Sequence, residues 1–250
     1  MVVALIAILG LTVGSFLNAV IYRLHVKVSF LRGRSYCPFC KHDLNIWDLV
    51  PLVSFIALFG KCRYCKKPIS WQYPLVEFGT AAAFLSLYWQ FGLGSSFFVY
   101  LLYSCFLIII FVFDLRYYLI LDKVSIPALG IAILLSIFVL QLSVWSVAFG
   151  ILIGGGFFLL QFFISKGKWI GGGDIRLGMV MGAMLGWQYV LMALFVSYIF
   201  GSLIGICLIV FGRKKWKSKV PFGTFLSAAT YIIFIFGEPI LKAYKNLLFL

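Results

Sequence analysis

The chain of 250 residues is 64% hydrophobic, with a mean hydropathy of +1.10 and only 11% charged residues, which excludes an ordinary soluble globular domain. Its net charge of +14 does not point to nucleic acid, because the lysines and arginines flank apolar runs and there report orientation in a membrane. The composition predicts an all-α integral membrane protein of about eight transmembrane helices with one large polar loop.

Residues 1–22 form the first span. The run is long enough to cross a bilayer and has no basic residue before it, so it reads as a retained helix rather than a cleaved signal. Near its end, Gly14-Ser15-Phe16-Leu17-Asn18 supplies small and polar residues suited to close helix packing. A cysteine-rich loop follows at 23–71, and its first 48 residues hold nine of the 21 Lys and Arg, together with Asp43 and Asp48. Two C-x-x-C knuckles, Cys37-Pro38-Phe39-Cys40 and Cys62-Arg63-Tyr64-Cys65, stand 21 residues apart, close to the spacing of a four-cysteine zinc site. Arg34, Lys41, Lys61, Arg63 and Lys66 would ease the negative charge of four thiolates. Metal-free thiols and disulfides are the competing readings, the latter disfavoured in a cytosolic loop. Cys105 and Cys207 stand alone in apolar runs and read as packing residues.

The rest of the chain, 72–250, reads as a seven-helix membrane core. The second span, roughly 72–91, carries Glu77 just inside its start, where a carboxylate is favoured by the helix dipole or serves function. The third, 97–113, leads to Asp114. Arg116, Tyr117, Tyr118, Asp122 and Lys123 make an interfacial segment, and the fourth span, 124–142, has Pro127 in its first turn. The fifth, 146–164, includes Gly154-Gly155-Gly156. Only 36 uncharged residues separate Arg176 from Arg213, with a turn expected near Gly186-Trp187-Gln188, so one of the two spans there must be short or irregular. The basic run 213–219 is an anchor, and the last span runs from Phe222 to before Lys242.

Alternate loops lie on one side of a membrane. The loops 23–70, 114–123, 165–176 and 213–219 hold 19 of the 21 basic residues, which makes them cytoplasmic and both termini external. Asp114, leaving the third span, and Asp174, entering the sixth, then fall on the same face.

Asp174 sits in Gly171-Gly172-Gly173-Asp174-Ile175-Arg176-Leu177-Gly178. A carboxylate beside an apolar segment is costly and marks a functional site by default, although Asp174 could also simply cap the helix that follows. Glycines let another backbone approach closely. Two carboxylates in a low-dielectric site share a proton, and the ionised one can draw a proton from a water that attacks an amide carbonyl. A proton- or cation-coupled transporter using Asp114 and Asp174 is the alternative, but it would more naturally bury its acids in mid-span.

Gly171-x-Gly173-Asp174-x-Arg176-Leu177 resembles the G-x-G-D signature of intramembrane aspartic proteases. Gly14-Ser15-Phe16-Leu17-Asn18, Ile21-Tyr22-Arg23-Leu24, the cysteine knuckles, the segment 48–54 and Tyr73-Pro74-Leu75-Val76-Glu77 extend the likeness over nearly the whole chain, to the bacterial type IV prepilin leader peptidases and N-methyltransferases. The resemblance implies a multi-pass protein of the bacterial cytoplasmic membrane that cleaves prepilin or pseudopilin precursors after a short basic leader, usually following glycine. It assigns catalysis to Asp114 and Asp174. Arg116 replaces a common acid and Ile120-Leu121-Asp122 lacks a usual proline, which leaves Asp122 as an alternative partner. Methylation of the new N-terminus from S-adenosylmethionine is implied in the same way, with Glu77 as the cofactor-binding candidate.

Overall fold

A helix satisfies its backbone hydrogen bonds internally, as lipid demands. The computed structural model describes residues 1–29, 33–211 and 220–247, and among these the regular structure is helical apart from two isolated bridges, Tyr36 with Asp43 and Lys61 with Pro68. The helices are α1 (Val2–His25), α2 (Val53–Ala57), α3 (Gln72–Phe91), α4 (Ser95–Tyr117), α5 (Asp122–Phe138), α6 (Val144–Ser165), α7 (Gly172–Val210) and α8 (Phe222–Leu247). Five of them, α1, α4, α6, α7 and α8, are long and apolar enough to cross a membrane. The basic run 213–219 lies outside the described residues.

The chain packs as two units, Met1–Gly92 and Leu93–Leu250. In the first, α1 and α3 run antiparallel at glycine contacts: a Cβ on Gly10 would lie 2.5 Å from the Ala81 Cα, and one on Gly14 2.7 Å from the Glu77 Cα. The helix that the sequence grouped with the downstream core thus packs on α1.

The second unit contains the reversal expected near Gly186. That residue has φ 75° and ψ 175°, a left-handed backbone that interrupts α7 and that residues with a Cβ rarely adopt. Gly178 faces Gly154, Gly182 faces Gly150 and Gly186 faces Ser146, so the first half of α7 runs antiparallel to α6. Beyond Gly186, Val190 returns to Gly154 and Tyr198 bonds Gln161, so the second half runs alongside α6 in the same direction. The apparent 39-residue helix is therefore a hairpin of two. Its first half, ~14 residues at about 1.5 Å each, is ~21 Å long, short of the ~30 Å hydrocarbon thickness. With its halves counted separately and the five-residue α2 set aside, eight apolar helical segments result among the described residues.

Several helix boundaries differ from the sequence reading, among them three that it tied to a named residue. α5 begins at Asp122, placing Pro127 in its second turn; α4 continues through Asp114 to Tyr117; and α8 continues past Lys242, where an ion pair with Glu238 one turn earlier (2.6 Å) supports it. Antiparallel contacts join α8 to α4, with Phe234 against Tyr100 at 4.9 Å and Thr224 against Asp114, so the start of α8 meets the end of α4.

Candidate active site

The acid at the end of α4 is buried. Asp114 is 5% exposed, and its Oδ2 accepts hydrogen bonds from the Thr224 backbone N–H (2.8 Å) and hydroxyl (3.3 Å) at the start of α8. Helix N-termini present unpaired N–H groups, which suit a carboxylate. The preceding Gly223 makes the approach possible, because a Cβ there would stand 3.0 Å from the same oxygen.

Asp174 occupies the first turn of α7 and caps it: the Gly171 N–H donates to its Oδ2 (3.1 Å) while the Asp174 N–H donates to the Gly171 carbonyl (3.1 Å). The capping role considered from sequence is real. It fixes the carboxylate next to Gly173, which packs on the Ile120 side chain, and Ile120 in turn meets Gly223 beside Asp114, so the two acids stand at the same end of the unit. Tyr198, from the second half of α7, bonds Gln161 through its hydroxyl, and its ring packs on Phe222 at 4.9 Å, near the start of α8.

Asp122 is differently placed. Its side chain is 53% exposed and pairs with Arg176 Nη2 at 2.8 Å, linking the start of α5 to that of α7. Thr224 and Gly223 were not singled out from sequence, and Ile120 was named there only as part of the segment that lacks a usual proline. Ile120 lies in the α4–α5 connection, with its side chain against both Gly173 and Gly223.

In the first unit the four cysteines converge, as the knuckle spacing predicts. The Cys37, Cys40, Cys62 and Cys65 sulfurs all lie within 4.8 Å of one another, and all four are free. The Cys37–Cys65 separation of 3.9 Å is close to the ~3.8 Å edge of a tetrahedron with metal–sulfur bonds of about 2.3 Å. Each knuckle is built the same way. The Cys37 N–H donates to the His42 carbonyl and Lys41 N–H to the Cys37 carbonyl, while Cys62 and Lys66 repeat the pattern with Lys67 and Cys62. Lys41 and Lys66 both turn the chain at positive φ, 60° and 59°.

Burial raises the Cys37 thiol, but backbone contacts at Cys40 and Phe39 and the Cys40 and Cys62 sulfurs outweigh it and bring it down to about 7. The Lys67 backbone pulls Cys65 down, yet burial and the three other sulfurs drive it up to about 11. Such a cluster takes up a cation readily, since four thiolates together need one, and its donor set fits a metal.

Asp48 anchors the second knuckle through Arg63 Nε (2.7 Å), the Tyr64 hydroxyl (3.2 Å) and the Asn45 N–H (3.1 Å). Burial raises its carboxyl, but these donors, Arg63 foremost, hold it below the ordinary carboxylate range.

Glu77, in the second turn of α3, is 7% exposed, and its Oε2 accepts the Leu52 N–H at 2.8 Å. One turn earlier the buried Asn18 donates to the Tyr73 carbonyl (3.0 Å) and accepts from the Gln72 side chain (3.2 Å). The polar residues at the end of the first span thus bind the start of α3 as well as packing.

Comparison with known proteins follows the same division. Residues 8–91 match the bacterial peptidase A24 N-terminal domain, and residues 101–206 match the type IV leader peptidase family. The prepilin leader peptidase/N-methyltransferase of Bacillus subtilis (strain 168) is 31% identical over 244 residues, covering 96% of this chain and 97% of that protein. The proteins of that name from Legionella pneumophila (31% over 269 residues, 96% and 93% covered) and Stutzerimonas stutzeri (30% over 266 residues, 95% and 91% covered) are similar over comparable lengths. No solved structure matches. With one family model on each compact unit and relatives aligned nearly end to end, the chain belongs to the type IV leader peptidase family, the bacterial prepilin peptidases.

Proposed function

We propose that this protein is a membrane aspartic endopeptidase that removes the basic leader of type IV prepilin-like precursors and then methylates the new N-terminus. The peptidase reading is supported by the packing of Gly173, beside Asp174, and Gly223, beside Asp114, on the same Ile120 side chain at one end of the helical unit. The transporter alternative finds no support among the relatives.

In this mechanism one carboxyl holds a proton and the other is ionised. The ionised group takes a proton from water as the water oxygen bonds to the scissile carbonyl carbon, and the protonated group donates to the carbonyl oxygen. Collapse of the tetrahedral intermediate breaks the C–N bond, with a proton passing to the leaving amine. Thr224 and Gly171 hold the two carboxylates in place by backbone N–H donors.

By the charge distribution, the cysteine-rich loop 23–71 and the dyad face the cytoplasm and both termini lie outside. Within that division the loop supplies a structural zinc site of Cys37, Cys40, Cys62 and Cys65, and the helices after it do the cutting. Methyl transfer draws on S-adenosylmethionine, which supplies an electrophilic methyl group when bound. Glu77, a buried carboxylate at the junction of loop and helix, fits a positively charged sulfonium or the substrate amine.

Purified protein incubated with a prepilin, with and without S-adenosylmethionine, tests both activities by product mass. Either Asp114→Asn or Asp174→Asn abolishes cleavage on this reading, while Glu77→Ala spares cleavage and lowers methylation. Near-normal cleavage by Asp174→Asn at equal concentration overturns the dyad; normal methylation by Glu77→Ala removes Glu77 from the cofactor site.

A further inference from the structure

The connection between α4 and α5 lies against the residues that adjoin the two acids, Gly173 and Gly223. It is fastened at both ends. Tyr118 turns in the left-handed region (φ 55°) with its N–H on the Asp114 carbonyl at 2.9 Å, and Asp122 is held by Arg176 at 2.8 Å. Between these anchors Ile120 points inward. A Cβ on Gly173, the residue before Asp174, would stand 2.8 Å from the Ile120 Cβ, and one on Gly223 would stand 2.8 Å from the Ile120 Cδ1 and 3.0 Å from Asp114 Oδ2. One side chain therefore spans the space between the glycine beside the first acid and the glycine beside the second.

Resting on the dyad reading above, we propose that Ile120 is a specificity-determining residue: its side chain fills the subsite for the residue on the leader side of the scissile bond and admits only the smallest side chains there. The assignment to the leader side follows from position. Ile120 lies in the connection between the end of α4 and the start of α5, outside the membrane-spanning helices, which is the side from which a basic leader reaches the acids in the proposed topology. A peptide that brings its carbonyl between the carboxyls must pass its neighbouring side chain by Ile120, and a branched aliphatic chain held by two anchors yields little space. Both glycines tolerate this arrangement because they place no atoms of their own in it.

The test uses full-length protein in detergent and a set of prepilins carrying Gly, Ala, Ser or Val before the cleavage point, with kcat/KM measured for each. One methylene in an apolar pocket is worth roughly 10- to 200-fold in discrimination. Ile120→Ala is accordingly expected to reduce the Gly-over-Ala preference by about tenfold or more, with cleavage of the Gly substrate changing less than that of the others. A residue with only a packing role would lower kcat/KM on every substrate alike and leave the ratio where it was. An unchanged ratio in a folded, active Ile120→Ala protein overturns the proposal. If Ile120→Ala does not fold, Ile120→Val, which removes only the Cδ1 that faces Gly223, is expected to shift the same ratio by several-fold, and a constant ratio there is equally decisive. Asp174→Asn run in parallel separates the two readings: an inactive Asp174→Asn with an unmoved ratio removes the wedge alone, while an active one removes the dyad beneath it.

Discussion

The hydroxyl of Thr224 offers a narrow test of how Asp114 is held. Thr224→Val keeps the shape of a residue only 6% exposed and keeps the backbone N–H bond of 2.8 Å, but it deletes the hydroxyl that donates to Asp114 Oδ2 at 3.3 Å. Hydrogen bonds to a charged group contribute about 1.5–3 kcal/mol, and O–H donors are best at ~2.7–2.8 Å, so this longer one is worth on the order of 1 kcal/mol. A loss of about 1 kcal/mol corresponds to roughly a fivefold fall in kcat/KM if the hydroxyl orients the carboxylate in the transition state. The assay is prepilin cleavage at equal concentrations of folded protein, with Thr224→Ser expected to recover most of the activity. Wild-type kcat/KM in Thr224→Val, within twofold, would show that the backbone N–H alone positions Asp114. Failure of the serine to rescue, together with a lowered melting temperature, would trace the effect to packing.

Three further outcomes are expected. Metal analysis of protein purified without chelator finds about one zinc per chain, and Cys62→Ser loses it while the spans stay folded; absence of metal in the unmodified protein ends the zinc reading. Asp122→Asn removes an exposed ion pair with Arg176, the kind that contributes about 0–1 kcal/mol, so cleavage falls less than tenfold; complete inactivity would make Asp122 rather than Asp114 the working partner. Asp48 has a depressed carboxyl pKa, so its contribution to the loop is complete above the unfolded value of about 3.9 and disappears as pH falls through the lower folded value. Amide exchange over residues 45–64 is therefore expected to be faster in Asp48→Asn than in the parent protein at neutral pH, and equal protection at that pH would refute the anchor.

Much of the membrane architecture was legible because lipid leaves few alternatives. Apolar runs bounded by basic residues read directly as helices, and the 36 uncharged residues between Arg176 and Arg213 announced that one segment would be short. Gly186 was visible as a turn position, but the need for glycine came from packing: Gly150, Gly154, Gly178 and Gly182 face one another backbone to backbone, which only the folded hairpin reveals. Helix ends were read less well. Asp114 was taken as the end of its span, although the helix goes on to Tyr117, because a charge near an apolar boundary does not by itself stop a helix.

The active site divides along the same line, between chemistry written into neighbouring residues and chemistry assembled from distant ones. Gly171, Gly173 and Asp174 are adjacent, and the cysteine knuckles repeat at a readable interval, so both could be found from the chain alone. Thr224 bonds to Asp114 across 110 positions, and nothing near it distinguishes it from any hydroxyl at a helix start. Its role depends on α8 running antiparallel to α4 in a register that brings its first turn to the last turn of α4. The glycine beside it has the same dependence: Gly223 looks like a loop residue in sequence, whereas in the fold its lack of a Cβ leaves room between Asp114 and Ile120. A site built on two carboxylates must keep its surroundings both polar enough to hold them and empty enough to admit a peptide. Backbone N–H donors from Gly171 and Thr224 meet the first requirement without side-chain bulk, which is why glycine adjoins the acid or its donor on both sides.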